Sequence, residues 1–162
     1  MAKVIELTRN QATIVDDEDF EILSKFNWYA RKRKSGKYDA VRKITLNGKQ
    51  ICLSMPRQLL PACEGLEVDH INRNTLDNRK SNLRIVTRSQ NLKNRDKNKN
   101  NKSGKKGVCL IENGRKCRVQ IRVNGKKIHL GIFPIEQIEQ AANAYRKAEL
   151  QYFGEYARQS EN

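Results

Sequence analysis

Through most of this chain apolar and polar positions alternate in short runs that stop at Asn-Gly, Gly or Pro, the pattern of brief half-buried strands joined by tight turns. The first stretch predicts a helix across Asp17 to Lys25 and strands around Trp28 to Lys32 and Tyr38 to Leu46. Asn47-Gly48 is a hairpin turn, and the return strand runs through Gln50 to Met55. Pro56 then suits the first turn of a short helix over Arg57 to Leu60. Trp28, Tyr29, Ile51 and Leu53 are expected in the core.

Further along, Glu67-Val68-Asp69 reads as the end of a strand and Leu83-Arg84-Ile85-Val86 as a second one. Thr87-Arg88-Ser89-Gln90 has the form of a capping box, with the Thr87 hydroxyl taking the amide of Gln90 and the Gln90 side chain reaching back. A helix therefore starts at Thr87, and Arg88 and Asn91 lie three apart on one face of it.

The segment from Asn94 to Lys106 is almost free of apolar residues and reads as a flexible basic linker able to follow phosphates. From Gly107 the strand patterns return, at Val108 to Ile111, Cys117 to Val123 and Lys127 to Ile132, with turns at Asn113-Gly114 and Asn124-Gly125. Ile138, Ala141, Ala142, Tyr145, Ala148 and Tyr152 then recur at three and four, an amphipathic helix ending before Gly154. That helix covers one face of an antiparallel three-stranded sheet, and Arg115, Lys116, Arg118, Gln120, Arg122 and Lys126 project largely from the other. The fold class is α+β. The expected segments are an N-terminal α+β region over 1–65, a compact unit over 66–96, a basic linker over 97–106 and a sheet-and-helix domain over 107–157.

Charge sharpens this picture. The 162 residues carry 33 Lys plus Arg against 18 Asp plus Glu, a formal charge of +15, which points to a polyanionic partner. The excess is uneven: residues 1–24 hold two basic and six acidic side chains, whereas Lys93 to Lys106 holds seven basic residues and one acid. Arg31-Lys32-Arg33-Lys34 is a further basic run. Cys52, Cys63, Cys109 and Cys117 form no C-x-x-C pair and the second histidine, His129, stands apart, so no structural zinc is expected. With no signal-peptide pattern and no long apolar run, the expectation is a cytoplasmic protein with reduced thiols and no membrane association.

The chemistry concentrates between Val68 and Asn91. Asp69 and Asn91 offer hard oxygen ligands suited to a Mg2+-like ion, and His70 is the side chain whose ordinary pKa lies near neutrality. An ion and a base suffice to hydrolyse a phosphodiester.

Those residues, in the order D-H-I…L-D-N-R-x-S-N-L-R…T…N from Asp69 to Asn91, resemble the HNH class of ββα-metal nucleases, in particular the phage and mobile-element homing endonucleases. The resemblance implies that Asp69 and Asn91 ligate Mg2+ or Mn2+, that His70 activates water, and that Arg88 holds the scissile or product phosphate. Asn82 is implied to tie the loop between the strands and to help orient His70. Asn91 stands where many members carry His, which favours an oxygen-seeking ion over zinc. Pro56-Arg57 stands where related nucleases have a His-Arg pair.

A second resemblance covers Ser103 to Ala157, where SGKKGV, KCRVQIRVNGKKIHLGIF and AANAYRKAELQYFGEYA look like the Apetala/ethylene-response-factor (ERF) type DNA-binding domain. Such domains lay their sheet in the major groove, so Arg115, Arg118, Gln120, Arg122 and Lys127 are implied as DNA contacts, with Arg and Gln suited to guanine and adenine edges. Cys117 replaces the family's usual Trp, and Leu110 a frequent aromatic. The expected protein is a site-directed endonuclease acting on double-stranded DNA in a bacterial host cell, as a monomer or weak dimer. The alternatives are a DNA-binding regulator derived from a nuclease and an RNA-binding, ribosome-associated protein.

Overall fold

The computed structural model describes residues 1–95, 97–98 and 100–158, so the Asp96 and Lys99 positions of the linker lie outside the described residues. The chain divides into two units, Met1–Asn91 and Leu92–Asn162, and each is built from small antiparallel sheets and short helices. Mixed helix and strand segregated in this way is the α+β class.

In the first unit β1 (Ala2–Leu7) and β2 (Gln11–Asp16) form a hairpin whose turn residues Arg9 and Asn10 both take positive φ. Helix α1 (Asp17–Leu23) follows directly, its first turn acidic and so matched to the helix dipole. It stops two residues short of the expected Lys25. A three-stranded sheet comes next, in the order β3 (Tyr29–Lys32), β4 (Tyr38–Leu46), β5 (Lys49–Ser54). Asn47 and Gly48, at φ 47° and 73°, make the hairpin turn between β4 and β5. Helix α2 (Met55–Leu59) carries Pro56 in its first turn.

Ile5, Leu7, Val15, Leu23, Trp28, Ala30, Ala40 and Met55 close the core of this unit, with Phe20, Phe26 and Tyr38 against it. Trp28 is thus a core residue and its indole N–H donates to the Leu23 carbonyl at 2.9 Å. Ile51 is not: it is exposed with Leu46 on the hairpin that leads to edge strand β5. Alternation alone could not show that this hairpin extends past the elements that would cover it.

Strands β6 (Leu66–His70) and β7 (Leu83–Thr87) form a separate ladder that leads into α3 (Arg88–Lys93). The long loop between β6 and β7 is docked on β2. The Ile14 amide donates to the Leu76 carbonyl and the Asn78 amide to the Ile14 carbonyl, both at 2.8 Å. Asp77 ties the same loop together. Its carboxylate accepts both Nε and Nη2 of Arg79 at 2.7 Å and Nδ2 of Asn72 at 2.9 Å.

The second unit has strands in the order β10 (Lys126–Pro134), β9 (Lys116–Val123), β8 (Val108–Ile111), with helix α4 (Ile138–Phe153) packed on one face. Val108, Cys117, Val119, Ile121, Ala141, Tyr145, Ala148, Phe153 and Ala157 form its core. The helical stripe ends on buried Glu149 and Phe153, whereas Tyr152 is exposed. Glu149 is accommodated because Lys106 Nζ lies 2.7 Å from its carboxylate, a buried charge paired as burial requires. The turn near Asn113-Gly114 is longer than a two-residue hairpin: Glu112, Asn113 and Gly114 all have positive φ.

The stretch expected to be a flexible linker is hydrogen-bonded to itself and to β8. Asn101 Nδ2 donates to the carbonyls of Lys105 and Val108, Ser103 Oγ lies within hydrogen-bond reach of the same two carbonyls, and Lys97 Nζ donates to the Gly104 carbonyl at 2.7 Å. Asn and Ser side chains supply these local bonds, which is why a polar run here need not be a free tether.

Two outcomes follow from these contacts. Gly107 has φ 73°, and a Cβ there would lie 1.9 Å from the Tyr145 ring. Gly107→Ala is expected to destabilise by at least about 2 kcal/mol, from left-handed strain plus overpacking, read as a lower urea midpoint. For Asp77, the Arg79 guanidinium holds the carboxyl below its ordinary value of 3.8. A depressed carboxylate stabilises fully above its unfolded pKa and loses that contribution as pH falls through the folded one. Asp77→Asn should therefore flatten the acid limb of unfolding midpoint against pH below about 4.

Candidate active site and nucleic-acid interface

The β6–β7 ladder sets out the site by register. Asp69 pairs with Arg84 and His70 with Leu83, while Glu67 pairs with Val86. Because side chains alternate across a strand, Glu67 and Asp69 share one face of β6 and His70 faces the other way.

Helix α3 starts where the capping box requires. Gln90 N donates to Thr87 Oγ1 at 3.3 Å, and Gln90 Oε1 accepts the Thr87 amide at 2.8 Å. This fixes the helix phase and brings Arg88 and Asn91 to Glu67. Arg88 Nη1 lies 3.0 Å from Glu67 Oε1, and Asn91 Nδ2 donates to Glu67 Oε2 at 2.5 Å. The Asn91 hydrogen bond, with Arg88 second, holds the Glu67 carboxyl below its ordinary value.

Asp69 is buried, and both Nε and Nη2 of Arg84 donate to its Oδ2, at 3.0 and 2.8 Å. A buried carboxylate is stable here because the guanidinium opposite in the ladder neutralises it. Neither Glu67 nor Arg84 stood out in the sequence. Glu67 could have been found from its position two residues before Asp69, and Arg84 only from the strand register.

Three oxygen donors therefore belong to one face of β6 and the capped helix: Glu67, Asp69 and Asn91. Asn91 turns its amide nitrogen to Glu67, so its Oδ1 is the atom it would offer to an ion. No three His, Cys, Asp or Glu side chains converge among the described residues. Two carboxylates and an amide oxygen suit a hard divalent cation that keeps several waters. The donor set thus fits the ion expected from the sequence.

His70 is only 6% exposed, and its ring meets the loop between β6 and β7. Its Nε2 is 3.1 Å from Asn78 Oδ1. Burial pushes the imidazole below its ordinary pKa of 6.5, outweighing the hydrogen bond to Asn78 and the nearby Asp69 charge that favour protonation. Asn82 reaches the chain around His70 rather than its ring: Oδ1 accepts the Asn72 amide at 2.9 Å and Nδ2 donates to the Asp77 carbonyl at 2.7 Å.

In the second unit, Arg118, Gln120 and Arg122 alternate with the buried Cys117, Val119 and Ile121 along β9. Lys127 pairs with Arg122, and His129 with Gln120, so these side chains share the face away from α4. Lys126 pairs with core-facing Val123, on the opposite side from the expected one. Arg115 precedes the strand, at the end of the turn after β8.

A family model described as HNH endonuclease matches residues 60–93, the segment that contains β6, β7 and α3. An uncharacterized HNH endonuclease of Acanthamoeba polyphaga mimivirus is 37% identical over 144 residues, covering 86% of this chain and 70% of that protein. No solved structure matches the chain significantly. The ladder, the capped helix and these matches agree: the chain belongs to the HNH endonucleases, hydrolases that cleave DNA.

Proposed function

We propose that the chain is a site-directed, homing-type endonuclease whose first 91 residues hydrolyse DNA and whose sheet domain, residues 107–157, selects the position, in the manner of ERF-type domains. The observation that carries the catalytic half is the face shared by Glu67, Asp69, Asn91 and Arg88, with the buried imidazole of His70 on the residue next to Asp69 at the end of the same strand. Asp69 and Asn91 would hold Mg2+ or Mn2+, which when bound supplies charge neutralisation at the leaving oxygen.

The protein's own groups supply the rest. His70, kept neutral by burial, takes the proton of the attacking water. Arg88 is released from Glu67 to a DNA phosphate at little cost, since its side chain is 79% exposed and exposed ion pairs are weak. Arg84 balances the charge of Asp69 before any cation arrives.

Targeting rests on the exposed basic face of β9 and β10. Arg118, Gln120, Arg122 and Lys127 stand on one side of a narrow sheet, where a major groove could receive them, and Arg115 flanks it. Leu92 to Asn162 holds 16 basic against 7 acidic residues, which gives this half strong phosphate affinity whatever the sequence. A DNA-binding regulator descended from a nuclease remains the second reading, and the intact oxygen set and base speak against it.

Plasmid cleavage separates the two. His70→Ala is expected to abolish cleavage while leaving DNA affinity nearly unchanged, and Asp69→Ala to lose metal-dependent cleavage with partial rescue at higher Mg2+ or Mn2+. Cleavage that persists in excess chelator, or in His70→Ala, rejects the mechanism; binding with no cutting by the wild type selects the regulator. For targeting, Arg118→Ala and Arg122→Ala in the full protein should each cost on the order of 1 to 3 kcal/mol and broaden the cleavage-site profile. An unchanged profile places recognition elsewhere.

A further inference from the structure

The His70 ring meets a chain of buried hydrogen bonds that begins outside the segment matched by the family model. Thr13, on β2, and Asn78, in the β6–β7 loop, are both fully buried. Thr13 Oγ1 lies 2.8 Å from the Leu76 carbonyl oxygen, Asn78 Nδ2 lies 2.8 Å from Thr13 Oγ1, and Asn78 Oδ1 lies 3.1 Å from His70 Nε2.

Donor and acceptor chemistry orders this chain in one direction only. A carbonyl oxygen cannot donate, so at 2.8 Å the Thr13 hydroxyl must spend its single proton on Leu76. That hydroxyl then faces Asn78 as an acceptor, and the amide can answer only with its NH2 group. Turning the amide over would set its oxygen against an oxygen whose proton is already committed. Asn78 therefore presents Oδ1 to the imidazole, and a contact with a pure acceptor places a proton on Nε2. In a neutral imidazole one nitrogen alone carries hydrogen, so Nδ1 holds the lone pair.

We propose that Thr13 and Asn78 are positioning residues that lock His70 as the Nε2–H tautomer and thereby make Nδ1 the proton acceptor of the cleavage step. The inference rests on the reading of His70 as the base, but the tautomer can be measured independently of it. It assigns the N-terminal hairpin a role in the active site. The same hairpin holds the loop by backbone bonds, from Ile14 N to Leu76 O and from Asn78 N to Ile14 O, so the lock and its anchor are one construction.

The test uses full-length protein labelled with 15N-histidine and long-range proton–nitrogen correlation spectra recorded above the titration of the ring. The chain has two histidines, and His129→Gln identifies the His70 signal. Wild type is expected to show the Nε2–H pattern. Thr13→Ser, which keeps the hydroxyl, should retain that pattern and cleavage. Thr13→Val and Asn78→Leu should give mixed tautomers and a fall in kcat of about tenfold to a hundredfold, with DNA affinity unchanged.

An Nδ1–H pattern in wild type overturns the proposal. So does a Thr13→Val protein that stays wholly Nε2–H and cuts at the wild-type rate. Should both Val and Leu variants fail to fold, the wild-type spectrum and Thr13→Ser still decide. If His70→Ala cuts plasmid normally while the Nε2–H pattern is present, the tautomer stands and the assignment of His70 as the base is what fails.

Discussion

Everything that the nuclease unit does depends on seating the loop between β6 and β7 against β2. Fixing each residue of such a loop costs about 1 to 2 kcal/mol of backbone entropy. The opposing contributions are visible. They are the two backbone bonds through Ile14, the bidentate Arg79–Asp77 pair, the Asn82 bonds to Asn72 and Asp77, and the Lys80 amide on Asp16 at 2.7 Å. Thr75 also donates to the Tyr38 carbonyl. The loop is thus a polar core made of Asx-type contacts, and both strand ends that carry chemistry are held by it.

That construction separates opposite requirements within two adjacent residues. Asp69 needs charge compensation while buried, which Arg84 provides across the ladder. His70 needs a dry, neutral setting with one nitrogen tied back, which Asn78 provides. Alternation along a strand sends consecutive side chains to opposite faces, so an Asp-His dipeptide at a strand end can serve both environments without either group quenching the other. Glu67, one alternation earlier, returns to the Asp69 face and there orders Arg88 and Asn91 before substrate arrives.

Much of this was legible in the residues because the signals were local. The Thr87–Gln90 box, the Asn47-Gly48 turn and the alternation along β9 each set their element by contacts within a few positions. What escaped was set by distant partners. Arg84 is defined by its register with Asp69, and Asn78 by a threonine far back in the chain. Ile51 reads as core from its strand pattern yet is exposed, and the helical stripe that suggested Tyr152 turns instead through Glu149 to Phe153. Buried Glu149 was hidden for the same reason: its partner, the half-buried Lys106, sits in a polar run with no apparent reason to pack.

The second unit shows how one strand can separate a buried apolar face from an exposed polar one. Cys117, Val119 and Ile121 bury one face of β9, and the alternate residues Arg118, Gln120 and Arg122 play no part in that core. Substitution on the outward face therefore leaves that core in place. The bulge between His129 and Gly131 adds local twist to β10 on the same sheet. Gly131 suits that bend because its φ of 137° is open to glycine, and a Cβ there would come within 3.0 Å of the Phe133 ring. Charge alone would bind any duplex, so under the proposed targeting role discrimination would come from the few side chains that this alternation leaves outward at fixed spacing. A strand repeats outward residues every second position, and that rigid interval, held by the core beneath it, is what the proposed targeting by Arg118, Gln120 and Arg122 would use to address successive bases as a set.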